Sequence, residues 1–190
     1  MKVLSVLQCA STYLDLATSF DYYFNENNST LPSASIQSEY ALLLKAFNIV
    51  VKEICGEYIA IKHRETVTFD SDKSFDLDDL TFEPSGILKV FQNGAPCKFK
   101  ILDEKVLTDF VGEGEIEYSI FPEDFDDTDD INIFAGRVSE RTLALGVCME
   151  YKFLKNVLDD AQIFEKRFYE GLKGDMRSKK QVVMPAKRWC

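Results

Sequence analysis

The chain has 190 residues, 46% of them hydrophobic and 28% charged, with 22 Lys and Arg against 32 Asp and Glu for a formal net charge of −10. Such a length and composition suit one domain, or one domain with an appendage, and supply ample material for a core. The negative balance disfavours nonspecific adhesion to nucleic acid or anionic lipid, and no stretch approaches the roughly 20 apolar residues that cross a bilayer.

Five cysteines (Cys9, Cys55, Cys97, Cys148, Cys190) are odd in number and far apart, with no CxxC pair. That argues against a disulfide framework and a zinc site, and favours reduced thiols in a cytosol. Met1-Lys2 followed by VLSVLQCA has the look of a signal peptide, but the apolar run is too short and Gln8 is a poor cleavage neighbour for Cys9.

Two helices are expected first. Over residues 3–24, Val3, Leu7, Ala10, Leu14, Ala17 and Phe24 fall on one stripe, and NENNSTLP at 25–32 is loop chemistry. The second helix is cleaner: Ile36, Tyr40, Leu43, Leu44, Phe47, Val50, Val51, Ile54 and Tyr58 follow the i, i+3, i+4, i+7 rule, with Ser33 or Ser35 as N-cap. The two together predict an antiparallel hairpin over residues 1–58.

From residue 59 the period changes to two. Ile59, Ile61, Val67 and Phe69 alternate with polar residues, as in a half-buried strand. After an acidic bend (Asp70 to Asp79), ILKVFQ-NG-APCKFKIL reads as two strands joined at Asn93-Gly94, residues that tolerate the positive φ of a type I′ turn. Gly112 and Gly114 bracket another turn before EIEYSIF, a strand stopped by Pro122. Residues 59–122 thus predict a small antiparallel sheet or barrel of about four to six strands.

Helix returns after the acids of FPEDFDDTDD, which suit the positive end of a helix dipole. Residues 131–157 are apolar almost all round, implying burial against more than one neighbour. The last helix, about 159–172, turns Ala161, Phe164, Phe168 and Leu172 inward and ends at Gly171 and Gly174. The fold class is therefore α+β. It comprises a helical bundle of two N-terminal and two C-terminal helices (the latter within 131–173), a small antiparallel β insertion and an extended tail at 174–190.

That tail, GDMRSKKQVVMPAKRWC, carries five basic residues (Arg177, Lys179, Lys180, Lys187, Arg188) against one acid, Asp175, on an otherwise acidic chain. Its lysines suit acids or phosphates, Val182 and Val183 suit strand addition to a partner's sheet, and Trp189 suits a pocket. A plain disordered terminus is the alternative.

Other constellations are weaker. His63 lies on the first predicted strand, on the same face as Glu65, a couple capable of acid–base work. No nucleophile motif accompanies it, and a satisfied structural histidine is the plainer reading. The run Asp70, Asp72, Ser74, Asp76, Asp78, Asp79 lacks the glycine and closing glutamate of a calcium loop. It reads as a solvated loop, as does Asp124 to Asp130. No Walker loop, GxGxxG, GxSxG or HExxH occurs, so neither a metal, a cofactor nor a catalytic set is expected.

The order of elements over residues 85–190 resembles the phage head–tail connector (adaptor) proteins, including the podovirus tail tubular protein A group. The resemblance is carried by the strand pair around VFQNG, a strand ending in EYSIFP, the helix INIFAGRVSERTLALGVCMEYKFL, the helix FEKRFYEGL and the closing segment RSKKQVVMPAKRW. It implies a structural virion protein of the neck, assembled in the bacterial host cytoplasm. Copies, commonly twelve, would form a ring beneath the portal, with a distal tail or ring protein below and DNA passing through the lumen without specific binding. The C-terminal segment would dock on the portal. Arg137 and Arg141, one turn apart on the third predicted helix, are candidates for inter-subunit ion pairs, an exposed face being the plain alternative. The runner-up is a small β-domain interaction module of another tail-like or secretion-like particle.

Overall fold

The computed structural model describes residues 1–25, 31–134 and 136–177. Among these the chain is mixed α+β, with five α-helices and two antiparallel sheets. It divides into two compact units: Met1–Phe47 together with the chain from Asp127 onward, and Asn48–Asp126.

In the first unit, α1 spans Val3–Tyr13. The single helix expected to residue 24 is interrupted, because Asp15 takes a left-handed conformation (φ 60°) and the Leu16 amide turns back to the Ser11 carbonyl. A one-turn helix α2, Asp21–Phe24, follows. The apolar stripe continues through the break because Phe20 is fully buried, edge-on to Tyr40, and Tyr23 stacks flat on that same ring. Helix α3, Ala34–Glu57, runs close to its predicted bounds and contributes Tyr40, Leu43, Ala46 and Phe47 to this unit's buried set.

The acidic stretch before the third predicted helix is largely exposed, as a solvated loop is, yet its backbone has a structural part to play. The carbonyls of Asp129 and Asp127 accept from the Val3 and Leu4 amides at 3.0 and 3.1 Å, so this backbone satisfies orphan donors at the start of α1. The Asp127 carboxylate also accepts from the Tyr40 hydroxyl at 3.0 Å. Helix α4 then begins at Glu140, not at 131, and runs to Leu154 with Ser139 as its N-cap. Ile131, Phe134 and Val138 are buried without being helical. Leu143 to Met149 are all buried, as the all-round apolar run predicts, with α1 packed on one side and α5 on another. Helix α5, Leu158–Met176, passes straight through Gly171 and Gly174 and so takes in the first residues assigned above to the tail.

The second unit holds the last turns of α3 and seven strands among the described residues. They are β1 (Ile61–Phe69), β2 (Ser74–Asp76), β3 (Pro84–Gln92), β4 (Ala95–Cys97), β5 (Lys100–Leu102), β6 (Lys105–Leu107) and β7 (Gly112–Ile120). They form a four-stranded sheet in the order β1-β7-β3-β4 and a three-stranded sheet in the order β2-β6-β5. Along β1, Lys62, Arg64, Thr66 and Thr68 are exposed and their neighbours at least partly buried, the alternation the period of two predicts. Val67, Phe69, Val90, Val106, Phe110, Ile116 and Tyr118 fill the core.

Asn93 (φ 51°) and Gly94 (φ 78°) make the expected turn. The strand expected after it is two strands instead: the chain leaves one sheet at Cys97 and enters the other at Lys100. Gly112 and Gly114 do not bracket a turn but lie within β7. A Cβ on Gly114 would sit 2.8 Å from the Phe110 ring and 2.9 Å from that of Phe69. In this unit α3 is fastened to the chain leaving β7. The Asn48 side-chain amide donates to the Phe125 carbonyl (3.0 Å) and accepts from the Phe125 amide (2.8 Å), while Lys52 pairs with Asp124 at 2.6 Å.

Candidate docking site at the root of the basic tail

The basic tail is rooted in a small polar lock. Ser139 caps α4 by accepting from the Thr142 amide at 3.3 Å, as a hydroxyl does at an N-terminus. The Asp175 carboxylate, near the last turn of α5, accepts from the Ser139 amide at 2.8 Å and from the Thr142 hydroxyl at 2.7 Å. Because the Thr142 hydroxyl spends its proton on Asp175, the 2.8 Å contact between the two hydroxyls has Ser139 as donor. One carboxylate from α5 thus meets the positive end of α4, where a negative charge is stabilising.

The helices can approach this closely because residue 171 is glycine: a Cβ there would lie 2.9 Å from Thr142 Oγ1. Leu172, one residue further along α5, is buried. Arg177 closes α5, its amide donating to the Lys173 carbonyl at 3.2 Å. Arg177 is exposed and is the one basic residue of the tail among those described. Lys179, Lys180, Val182, Val183, Lys187, Arg188 and Trp189 lie outside the described residues.

Beside the lock is an open cleft of about 660 Å³, lined by Tyr13, Arg141, Thr142, Arg167, Glu170 and Asp175, among others. Arg141 is exposed on the first turn of α4 and makes no ion pair among the described residues. Arg137 is not one helical turn before it on the same helix. It precedes the N-cap, in a turn closed by its amide bond to the Phe134 carbonyl at 2.9 Å. Both arginines face solvent, but they do not share a helix face.

The other candidate groups have local partners. His63 Nε2 lies 3.9 Å from Glu65, and its ring stands edge-on to Phe82 and Tyr118. Glu65 accepts from the Thr81 amide at 3.2 Å, so the pair pins the crossing into β3. Asp70 is bound into its own turn. Its carboxylate accepts from the amide and hydroxyl of Ser74 and the amide of Asp72, and these bonds hold its pKa below the ordinary value. Among the described residues no group of three or more His, Cys, Asp or Glu is placed to hold a metal ion. Burial pushes the Cys148 and Cys55 thiols up to about 12 and about 11, which keeps both protonated near neutrality. No helix among the described residues is long and apolar enough to cross a membrane.

Reading from sequence missed Asp175 as anything but the tail's lone acid, and Gly171 as more than a helix stop. A detectable signal did exist: Ser139-Glu140-Arg141-Thr142 before an apolar run has the chemistry of a helix start. No protein-family model matches the chain, and no curated protein matches it.

Proposed function

We propose that the chain is a head–tail adaptor, a structural virion protein whose copies form a ring under the portal. In this reading its basic C-terminal segment docks on the portal and DNA passes through the lumen. The observation that carries the reading is the locked root of the tail. A terminal segment that merely frays needs no anchor, whereas here Asp175 and Gly171 seat the end of α5 on the start of α4 immediately before Arg177. A segment leaving from a fixed point loses less freedom on docking, which favours affinity. The order of strands and helices between residues 85 and 177 supports the same reading, in which α1, α3, α4 and α5 would make the bundle. Arg137 and Arg141 would reach carboxylates of the neighbouring copy, and the acidic balance of the body would keep phosphates from lodging in the channel.

Electron microscopy of the protein, alone and mixed with portal, tests the proposal. The expected result is rings, either free or seated on the portal. Particles that stay monomeric in both samples would overturn it.

A further inference from the structure

One edge of the β unit is apolar on both faces. Among the described residues β5 has β6 as its single ladder partner. All three of its residues are exposed, Ile101 by 51% and Leu102 by 59%. Side chains alternate across a strand, so these two lie on opposite faces and neither face of β5 is covered. The hairpin to β6 has two turn residues, Asp103 and Glu104, both with positive φ. In such a hairpin the pairs Leu102–Lys105 and Lys100–Leu107 exchange the ladder bonds, which leaves the amide and carbonyl of Ile101 directed to the open side. An edge of this kind is a template for another strand.

Where the chain passes from β4 to β5 there is an open groove of about 610 Å³ with Cys97, Phe99 and Leu107 as apolar lining. Lys98 and Lys100 line it too, with Thr108 and a single acid, Asp109. Elsewhere in this unit several cations are matched: Lys62 and Arg64 on β1 pair with Glu117 and Glu115 on β7, and Lys105 pairs with Asp76. Lys98 and Lys100 make no ion pair among the described residues. The groove and the open edge of β5 meet at Lys100, so the edge is flanked by an apolar floor carrying two lysines against one acid.

We propose that this groove is a docking site for an extended acidic segment of a partner protein. The segment adds as a strand to the open edge of β5, sets apolar side chains against Phe99 and Leu107, and sets carboxylates against Lys98 and Lys100. Main-chain bonds supply the affinity, and the alternating side chains supply the selectivity. A second copy of the same edge is the poorer occupant, because bringing two together would crowd four lysines and like charges across a strand pair repel. The surface belongs to the β unit alone and does not depend on the adaptor reading.

Amide hydrogen exchange of the full chain, read by NMR, tests the site with a synthetic peptide of alternating glutamate and valine. The peptide is expected to slow exchange of the Ile101 amide at least tenfold, and its lysine–valine counterpart is expected to leave the amide unchanged. The double variant Lys98→Glu/Lys100→Glu, at exposed positions, should keep the melting temperature and weaken acidic-peptide binding at least tenfold. Three results would overturn the proposal: an Ile101 amide unmoved by the acidic peptide, equal protection by the basic one, or protection that rises with protein concentration alone, which would mark a second copy as the occupant.

Discussion

Helices α4 and α5 lie next to each other and are used in opposite ways. Nine of the fifteen residues of α4 are buried, against three of the nineteen of α5, Ala161, Phe168 and Leu172. Leu158 and Ile163 on α5 are exposed by 51% and 55%. An element sunk on all sides is committed to the fold. One held by a narrow stripe and a polar lock has most of its surface left for something else, and it is the one that delivers the basic tail.

Phe168→Ala gives the largest expected change. It deletes the largest side chain fully buried on α5 and should cost about 3–5 kcal/mol. Because α5 has so few other buried contacts, its amides should lose exchange protection before those of α4 do. Equal loss in both helices would mean that α5 is as deeply committed as α4.

Next comes Asp175→Ala, which leaves the Ser139 amide and Thr142 hydroxyl without their acceptor and should cost about 1–3 kcal/mol. Exchange at the last turn of α5 should speed up while the middle of α4 is unchanged.

A smaller, pH-dependent effect is expected at Glu39 in the first unit. Its carboxylate accepts from Lys155 and from the Tyr151 hydroxyl (2.8 and 2.6 Å), and these bonds lower its pKa. A carboxyl with a depressed folded pKa contributes stability above its unfolded value, roughly 4.3, and that contribution fades as pH falls through the folded value. In Glu39→Gln, the loss of melting temperature between neutral pH and pH about 3 should therefore be smaller than in the parent. An identical loss would remove Glu39 from the account.

Smallest in stability are Leu158→Ser and Ile163→Ser, expected within about 0.5 kcal/mol of the parent. They should nevertheless weaken assembly of the full chain, seen as a lower mass by light scattering. Unchanged assembly would return the α5 face to ordinary exposed surface.

How legible this contrast was in the sequence depended on what periodicity measures. It registers burial, and burial was read well: Leu143 to Met149 are buried as the apolar run implied, and β1 alternates as its pattern required. Backbone conformation was read less well. Ile131, Phe134 and Val138 repeat at helical spacing and are buried, yet Gly136 between them has φ 72° and none of the three is in a helix. The break in α1 at Asp15 hides in the same way, because Phe20 beyond it is still buried. The Asn93-Gly94 turn announced itself; the Asp103-Glu104 turn did not, since Asp tolerates positive φ but Glu does not favour it and no glycine marks the turn, and β5 and β6 went unseen with it. The polar lock lay furthest from reach. It joins residues 33 to 36 positions apart through one carboxylate, and sequence pattern has no period at that distance.

The central claim is that the chain beyond Arg177 is a docking segment launched from a locked helix end. Its most direct test is co-sedimentation with portal of the full chain and of a chain ending at Arg177, both first shown to have the same circular dichroism and melting temperature. The account predicts that the full chain sediments with the portal and that the shortened chain, folded as before, stays in the supernatant. Undiminished co-sedimentation of the shortened chain would contradict it.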